Sequence, residues 1–292
     1  PGYRARLRPP DPLPEGKHKI LVYEISEVTP YINWLYFYHA WGLSGKPKEE
    51  KEKKQNEALG MLESWQGKYH THGIFRLLEA NSEGDDIVLF DGSSITRIPM
   101  LRQQKASSEG EPNLCLADFI RPLSQQKRDQ LGLFCTTVDA EIVELYHQDD
   151  YLSMLAQTLC DRLAEASAER LHEQVRKGFW GYAPDEHLTM EQSHREEYQG
   201  IRPAVGYPSM PDTSVNFILN ELLGMKDVNI RLTESGMMTP HSSVSGLMFA
   251  HPKARYFELG KIGEDQLRDY AKRRGIPLEL MRRFLQSSLL KK

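Results

Sequence analysis

No apolar run in this chain of 292 residues approaches the ~20 residues that a membrane-spanning helix needs. The opening "PGYRARLRPPDPLPEGKH" contains no apolar signal core. The expectation is a cytoplasmic protein with no membrane partner. Surplus positive charge is missing too: the formal net charge is -4 and the pI about 6.2, which leaves no basic field to hold a nucleic-acid backbone. Nucleic acid is not expected as a partner. Cysteine is scarce, and Cys115, Cys135 and Cys160 are odd in number and widely spaced, fitting neither a disulfide framework nor a zinc cluster. Three buried thiols are expected. The chain begins at Pro1 rather than at a methionine, which points to a piece of something longer.

Several familiar catalytic signatures are absent. "SGK" at Ser44–Lys46 hints at a phosphate loop, but Ala40 stands where the first glycine is needed and Pro47 where Ser or Thr must bind magnesium. No G-x-G-x-x-G follows a strand pattern, which counts against a dinucleotide fold and the commonest methyltransferase fold. His172 opens H-E-x-x-R, one histidine short of a zinc protease signature. No G-x-S-x-G occurs. Neither a catalytic residue nor a metal ligand is assigned.

What is present is an ordinary globular composition, 39% hydrophobic and 27% charged, enough for one large domain or two closely joined ones. Residues 1–17 are proline-rich and polar and read as a linker or arm. "TPYINWLYFYHAWGLSGK" is apolar nearly all round a helical wheel, with Thr29 as a candidate N-cap, so it must be largely buried or face a cleft. A charge-rich helix follows over "KPKEEKEKKQNEALGMLESWQGK", then strands over "HGIFRLLEA", "DDIVLFDGSS" and "SITRIPMLRQ", after which "LADFIRP" and "DQLGLFCTTV" lead into the longest helical pattern. From Asp149 to about Lys177, Leu152, Leu155, Leu159, Leu163, Ala166, Leu171 and Val175 recur at helical steps. Beyond lie a helix capped by Asp212 or Thr213 and closed near Gly224, strands over "NIRLTESGMM", "SVSGLMFAHP" and "ARYFELGKIG", the last two as an antiparallel hairpin, and two terminal helices. Without a repeating βαβ period, an α+β fold with an antiparallel or mixed sheet is expected.

Between the long helix and the capped one lies "GIRPAVGYPSMPD", which packs Gly200, Gly206, Pro203, Pro208 and Pro211 around Arg202 and Tyr207. As residues alone this reads first as a rigid crossover. Its other reading is a ligand loop: stiff backbone with exposed amides, an arginine that can fork onto a carboxylate, and a tyrosine face for a heterocycle or a cation. Carboxylate, purine and cation together describe S-adenosylmethionine.

Longer stretches carry a resemblance. "LCDRLAEASAERLHEQVRKGFWGYAP", "REEYQGIRPAVGYP", "TPYINW", "NLCLADFI", "LTESGMM", "SSVSGLMFAHPKARYF" and "DQLRDYAKRRG" resemble, in order, the C-terminal activation domain of cobalamin-dependent methionine synthase. The family's R-x-x-x-G-Y motif is met by Arg202, Gly206 and Tyr207. The resemblance covers most of the chain and implies a helmet-shaped or C-shaped α+β domain over residues 18–292, with a central twisted antiparallel sheet flanked by helices. It implies a groove for S-adenosylmethionine, the methyl donor that restores oxidised cob(II)alamin to methylcobalamin. Cobalamin would be carried by a separate domain or chain, and flavodoxin or another reductase would supply the electron.

Carried over by position, Arg202 binds the methionyl carboxylate or nearby polar groups, backbone around Ala204 and Gly206 approaches adenine and ribose, and Tyr207 lines the groove. Tyr256 and Phe257 form a second contact segment, while Glu165 and Glu196 offset the sulfonium charge. The family commonly has Asp where Asn33 stands in "YINW", so a negative charge facing the ligand's ammonium is lost. The cobalamin-binding D-x-H-x-x-G motif is absent, and the homocysteine and folate regions have no counterpart, so the chain alone is not expected to make methionine. Two other readings remain: a docking module for the reductase and the cobalamin domain that has lost donor binding, and a self-contained methyltransferase, for which no second pocket is visible.

Overall fold

Strands form where apolar residues run almost without interruption, because both faces of the sheet they build are covered. The structure, a computed structural model, describes residues 18–290; the expected arm at 1–17 lies outside the described residues. In chain order the elements are β1 (Lys19–Glu24), α1 (Ile25–Val28), α2 (Trp34–Ala40), α3 (Lys48–Trp65), β2 (His70–Glu83), β3 (Asp86–Asp91), β4 (Ser94–Pro99) and β5 (Asp129–Val138). There follow α4 (Glu141–Glu144), α5 (Asp150–Gln174), α6 (Met190–His194), α7 (Val215–Leu223), β6 (Arg231–Leu232), β7 (Met238–Thr239), β8 (Ser243–Met248), α8 (Glu264–Arg274) and α9 (Leu278–Phe284).

The main sheet has six strands in the order β4-β3-β2-β5-β8, with β1 also on β2, and every pairing within it is antiparallel. β2, 14 residues long, is its spine: one edge pairs with β1 at its start and with β3 at its end, while Thr71–Ala80 on the opposite edge pair with β5. Alternation sorts the side chains between two cores. Phe75 and Phe134 pack with Phe37, Trp65, Leu159 and Leu163 of α2, α3 and α5, whereas Ile74, Leu133 and Cys135 pack with Leu219, Leu267 and Met281 of α7, α8 and α9. This is the α+β architecture expected, a mostly antiparallel sheet flanked by helices. All three cysteines are free and buried. No helix among the described residues is long and apolar enough to cross a membrane.

Several local expectations need correction. α2 begins at Trp34, not Thr29, because the Asn33 carbonyl oxygen caps it, accepting from the Leu35 amide at 3.2 Å. β1, unassigned from sequence, pairs along its length with β2. "NIRLTESGMM" gives only the two-residue strands β6 and β7, paired with each other. "ARYFELGKIG" is no strand and forms no hairpin with β8; it runs as irregular chain whose Leu259 amide reaches the Pro208 carbonyl at 3.4 Å.

One charged contact fixes a sheet end. Burial opposes ionisation of Asp139, yet His72 Nε2 at 2.7 Å and the His70 amide at 2.8 Å outweigh it and hold the carboxyl below its ordinary range. A depressed folded value stabilises above the unfolded value, near 4, and the contribution is lost as pH falls through the folded value. Asp139→Asn is therefore expected to cost ~1.5–3 kcal/mol at neutral pH and to flatten the acid limb of stability against pH. Urea denaturation at neutral and acid pH reads both; an acid limb as steep as wild type would refute the assignment.

Candidate functional site

Along α5, Arg162, Glu165, Ala166 and Glu169 lie at three- and four-residue steps, so they share one face. That face borders a cleft of about 480 Å³, a size that suits a small organic ligand. The rest of its lining includes Asn33 and Tyr36 of α2 and its cap, Glu196 and Tyr198, residues of the stiff loop from Arg202 to Ser209, and Tyr256, Phe257 and Glu258. Of the residues assigned from sequence, Asn33, Glu165, Glu196, Arg202, Ala204, Tyr207, Tyr256 and Phe257 meet here. Gly206 does not line the cleft; with φ +90° it turns the loop, and its amide bonds the Met210 carbonyl at 2.8 Å.

Arg202 is already engaged. Its guanidinium donates through Nη2 to Glu169, whose other carboxylate oxygen accepts from Ser193 Oγ at 2.6 Å. The Arg202 and Glu169 side chains are only 14% and 7% exposed. Burial opposes both charges, but each holds the other ionised: Glu169 stays below the ordinary carboxylate range and Arg202 above the ordinary guanidinium range. Glu169 escaped the sequence reading, although its position one turn beyond Glu165 places it on the same helix face.

The expected row of free amides is also corrected. Ile201 N bonds the Phe249 carbonyl at 3.0 Å, Arg202 N the Tyr256 hydroxyl at 2.9 Å, Val205 N the Ser245 carbonyl at 2.9 Å and Tyr207 N the Ala204 carbonyl at 3.2 Å. Across residues 201–207 the Ala204 amide alone lacks a partner among the described residues. The loop is stiff because it is laid on β8 like an extra strand, with bridges Ile201 to Phe249 and Ala204 to Gly246.

The cleft tyrosines differ in what their hydroxyls do. Tyr31 donates to Glu173 at 2.7 Å, Tyr207 donates to Glu165 at 2.6 Å, and Tyr198 and Tyr256 meet at 3.3 Å. Burial, reinforced by Glu165, pushes the Tyr207 phenol up, so it stays a donor at neutral pH. Behind Tyr198, the His172 ring stands edge-on at 4.9 Å and the Arg176 guanidinium lies 4.2 Å from the ring centre. Burial, with Arg176 and Arg202 adding to it, holds His172 well below its ordinary value, so it is a neutral wall residue. Glu196 sits in the left-handed region at φ +59°, and its carboxyl has no hydrogen-bond or ion-pair partner among the described residues. Burial raises it above the ordinary carboxylate range, with Arg202 opposing. No group of three or more His, Cys, Asp or Glu among the described residues could hold a metal ion. The arrangement offers carboxylates for a cation, guanidinium groups for an anion, one free amide and several aromatic faces.

Comparison with known proteins gives the family and the fold. The family described as vitamin B12 dependent methionine synthase, activation domain, matches residues 24–275. The crystal structure of the MetH reactivation domain bound to AdoHcy matches with a TM-score of 0.89 at 35% identity, covering 98% of this chain and 94% of that one.

Proposed function

Because the chain belongs to the activation-domain family of vitamin B12-dependent methionine synthase, we propose that its cleft binds S-adenosylmethionine for reductive methylation of cob(II)alamin held on a separate domain or chain. Residues 18–292 form that module, and flavodoxin or another reductase is the partner that completes the chemistry. The observation that carries the reading is the convergence of Arg202, Ala204, Tyr207, Glu165 and Glu196 on one cleft, in a fold similar to one solved with AdoHcy, the thioether that the donor becomes after losing its methyl.

The residues fit such a ligand. S-adenosylmethionine supplies an electrophilic methyl on a sulfonium, so the protein has only to bind and orient it. Glu196, unpartnered, faces the cationic end together with Glu165 once Tyr207 shares its hydrogen bond. The free Ala204 amide donates to the adenine edge, Tyr207 and Phe257 flank the rings, and the Tyr256 hydroxyl fixes the backbone at Arg202. Arg202 holds the ligand's nearby polar groups while its charge is balanced by Glu169.

Calorimetric titration of S-adenosylmethionine into the chain tests this directly. Saturable binding is expected; no heat and no shift in melting temperature up to millimolar ligand would favour the docking reading. Asn33→Asp is expected to tighten binding roughly tenfold, since a charge-assisted hydrogen bond to the ammonium contributes more than a neutral one. Asp caps helices as well as Asn, so α2 is retained. Unchanged or poorer affinity would sink the idea that the missing charge matters.

A further inference from the structure

A second cavity, of about 310 Å³, lies where the end of α5 meets the segment leading into α6. Of its lining residues, Ser193 alone also borders the cleft. The long helix ends there in a π turn, Val175–Phe179, a wider winding often found at functional sites. Past it the Ala183 amide reaches back to the Arg176 carbonyl at 3.0 Å, so the chain folds over the helix end and walls the cavity. Arg176, on the π turn, is fully buried. Its Nε and Nη2 donate to the two Glu186 oxygens at 2.8 and 2.6 Å, and the Tyr198 ring covers one face of the guanidinium, but Nη1 has no partner among the described residues. A buried N–H without an acceptor bears its full desolvation cost. Glu173 is only half satisfied: Oε2 accepts from the Tyr31 hydroxyl at 2.7 Å, while Oε1 has Lys177 at 3.7 Å and Arg170 at 4.0 Å, too far for hydrogen bonds. Leu188 and Met190 border the same cavity, half-buried, and pack in neither core.

We propose that this cavity binds a free α-amino acid with an apolar side chain, at a site separate from the cleft. The charges on the wall choose the ligand. Glu173 and Glu186 stand against Arg176 and Lys177, so a bare anion meets two carboxylates and a bare cation meets two basic side chains. A zwitterion satisfies both signs. Its carboxylate takes the Arg176 Nη1 donors and the loosely held Lys177 ammonium, and its own ammonium donates to Glu173 Oε1. The spacing suits so compact a head group: Arg176 and Lys177 follow Glu173 by three and four residues and so share its side of the helix. Leu188 and Met190 then give an apolar side chain a surface to cover.

Calorimetric titration with L-norleucine, hexanoate and pentylamine tests this, since the three share one hydrocarbon chain and the last two each lack one of the charges. Norleucine is expected to saturate the chain in the millimolar range or below, with both others weaker by about tenfold or more. Lys177→Gln is the variant to use. Its ion pair with Glu173 is partly exposed and adds little to the fold, whereas replacing Arg176 would strand the buried Glu186 carboxylate. Lys177→Gln should weaken norleucine by about tenfold and leave the melting temperature unchanged. Hexanoate or pentylamine binding as tightly as norleucine would reveal a site for one charge only and overturn the proposal. Norleucine binding that survives Lys177→Gln would place the amino acid elsewhere and overturn it as well, as would norleucine that fails to saturate in the millimolar range. None of these results bears on the donor reading, which the titration of S-adenosylmethionine decides.

Discussion

Arg202→Ala is expected to lower folding stability by ~3–5 kcal/mol, besides abolishing measurable binding of S-adenosylmethionine. The stability loss follows from what is left behind: Glu169, almost wholly buried, loses the guanidinium that offsets its desolvation. Ser193 still donates and Arg176 still acts at longer range, but neither replaces the direct contact. The pH dependence should change sign. In wild type the folded Glu169 carboxyl lies below its unfolded value, so its contribution is intact above pH ~4.3 and is lost only as pH falls through the folded value. In the variant, burial raises the folded value above the unfolded one, so the deficit is greatest at neutral pH and shrinks as acid protonates the carboxyl. Glu169→Gln in the Arg202→Ala background should regain part of the stability at pH 7 by removing the orphan charge. Urea denaturation of wild type and both variants at pH 5 and 7 reads this. A single variant within ~1 kcal/mol of wild type, with a parallel pH profile, would show that the pair carries little energy.

How much of this site was legible before folding depends on which physical signal each residue carries. α3, α5 and α8 were readable because apolar residues at helical steps, or a charged solvent face, leave a periodic mark over many residues. β2, β3, β4 and β8 are readable as apolar runs between turn residues, whereas β5, unassigned from sequence, takes its place by pairing with β2 and β8. Arg202 and Tyr207 stood out through the prolines and glycines around them. Glu169 left a local signal too, its spacing from Glu165, but spacing does not say which carboxylate will be buried against an arginine 33 residues away. Tertiary pairing is what the chain alone hid most completely. The amides of Ile201 and Val205 look available in the sequence because their partners, the carbonyls of Phe249 and Ser245 at β8, lie 40 or more residues downstream. "ARYFELGKIG" has strand composition, yet its chain is irregular, with the Tyr256 hydroxyl committed to the Arg202 amide and Leu259 to Pro208. Asn33 lines the cleft and caps α2, and the cap leaves its oxygen a second lone pair.

The dependence of the loop on β8 gives the second large effect. Gly246→Ala is expected to cost about 3 kcal/mol, the upper end for overpacking, and to weaken ligand binding by about a hundredfold, the scale on which a 1 Å misplacement acts in a site. The Cβ added at Gly246 would stand 2.2 Å from the Pro203 carbonyl oxygen and 2.9 Å from Ala204 Cα. Both are backbone atoms, so no side-chain rotation can relieve the contact. The loop must instead lift off β8, stretching the bonds from Leu247 N to the Pro203 carbonyl, 3.0 Å, and from Val205 N to the Ser245 carbonyl, 2.9 Å. Lifting moves the free Ala204 amide and the Arg202 backbone together, and with them the ligand contacts they offer. Gly206→Ala is the control: its Cβ meets nothing nearer than Thr213 Cγ2 at 3.9 Å, so it strains a left-handed residue without separating loop from sheet. Chemical denaturation and titration of both variants distinguish the cases. If Gly246→Ala keeps wild-type affinity while losing stability, the loop holds its shape without β8, and the preorganisation of the cleft resides in its prolines alone.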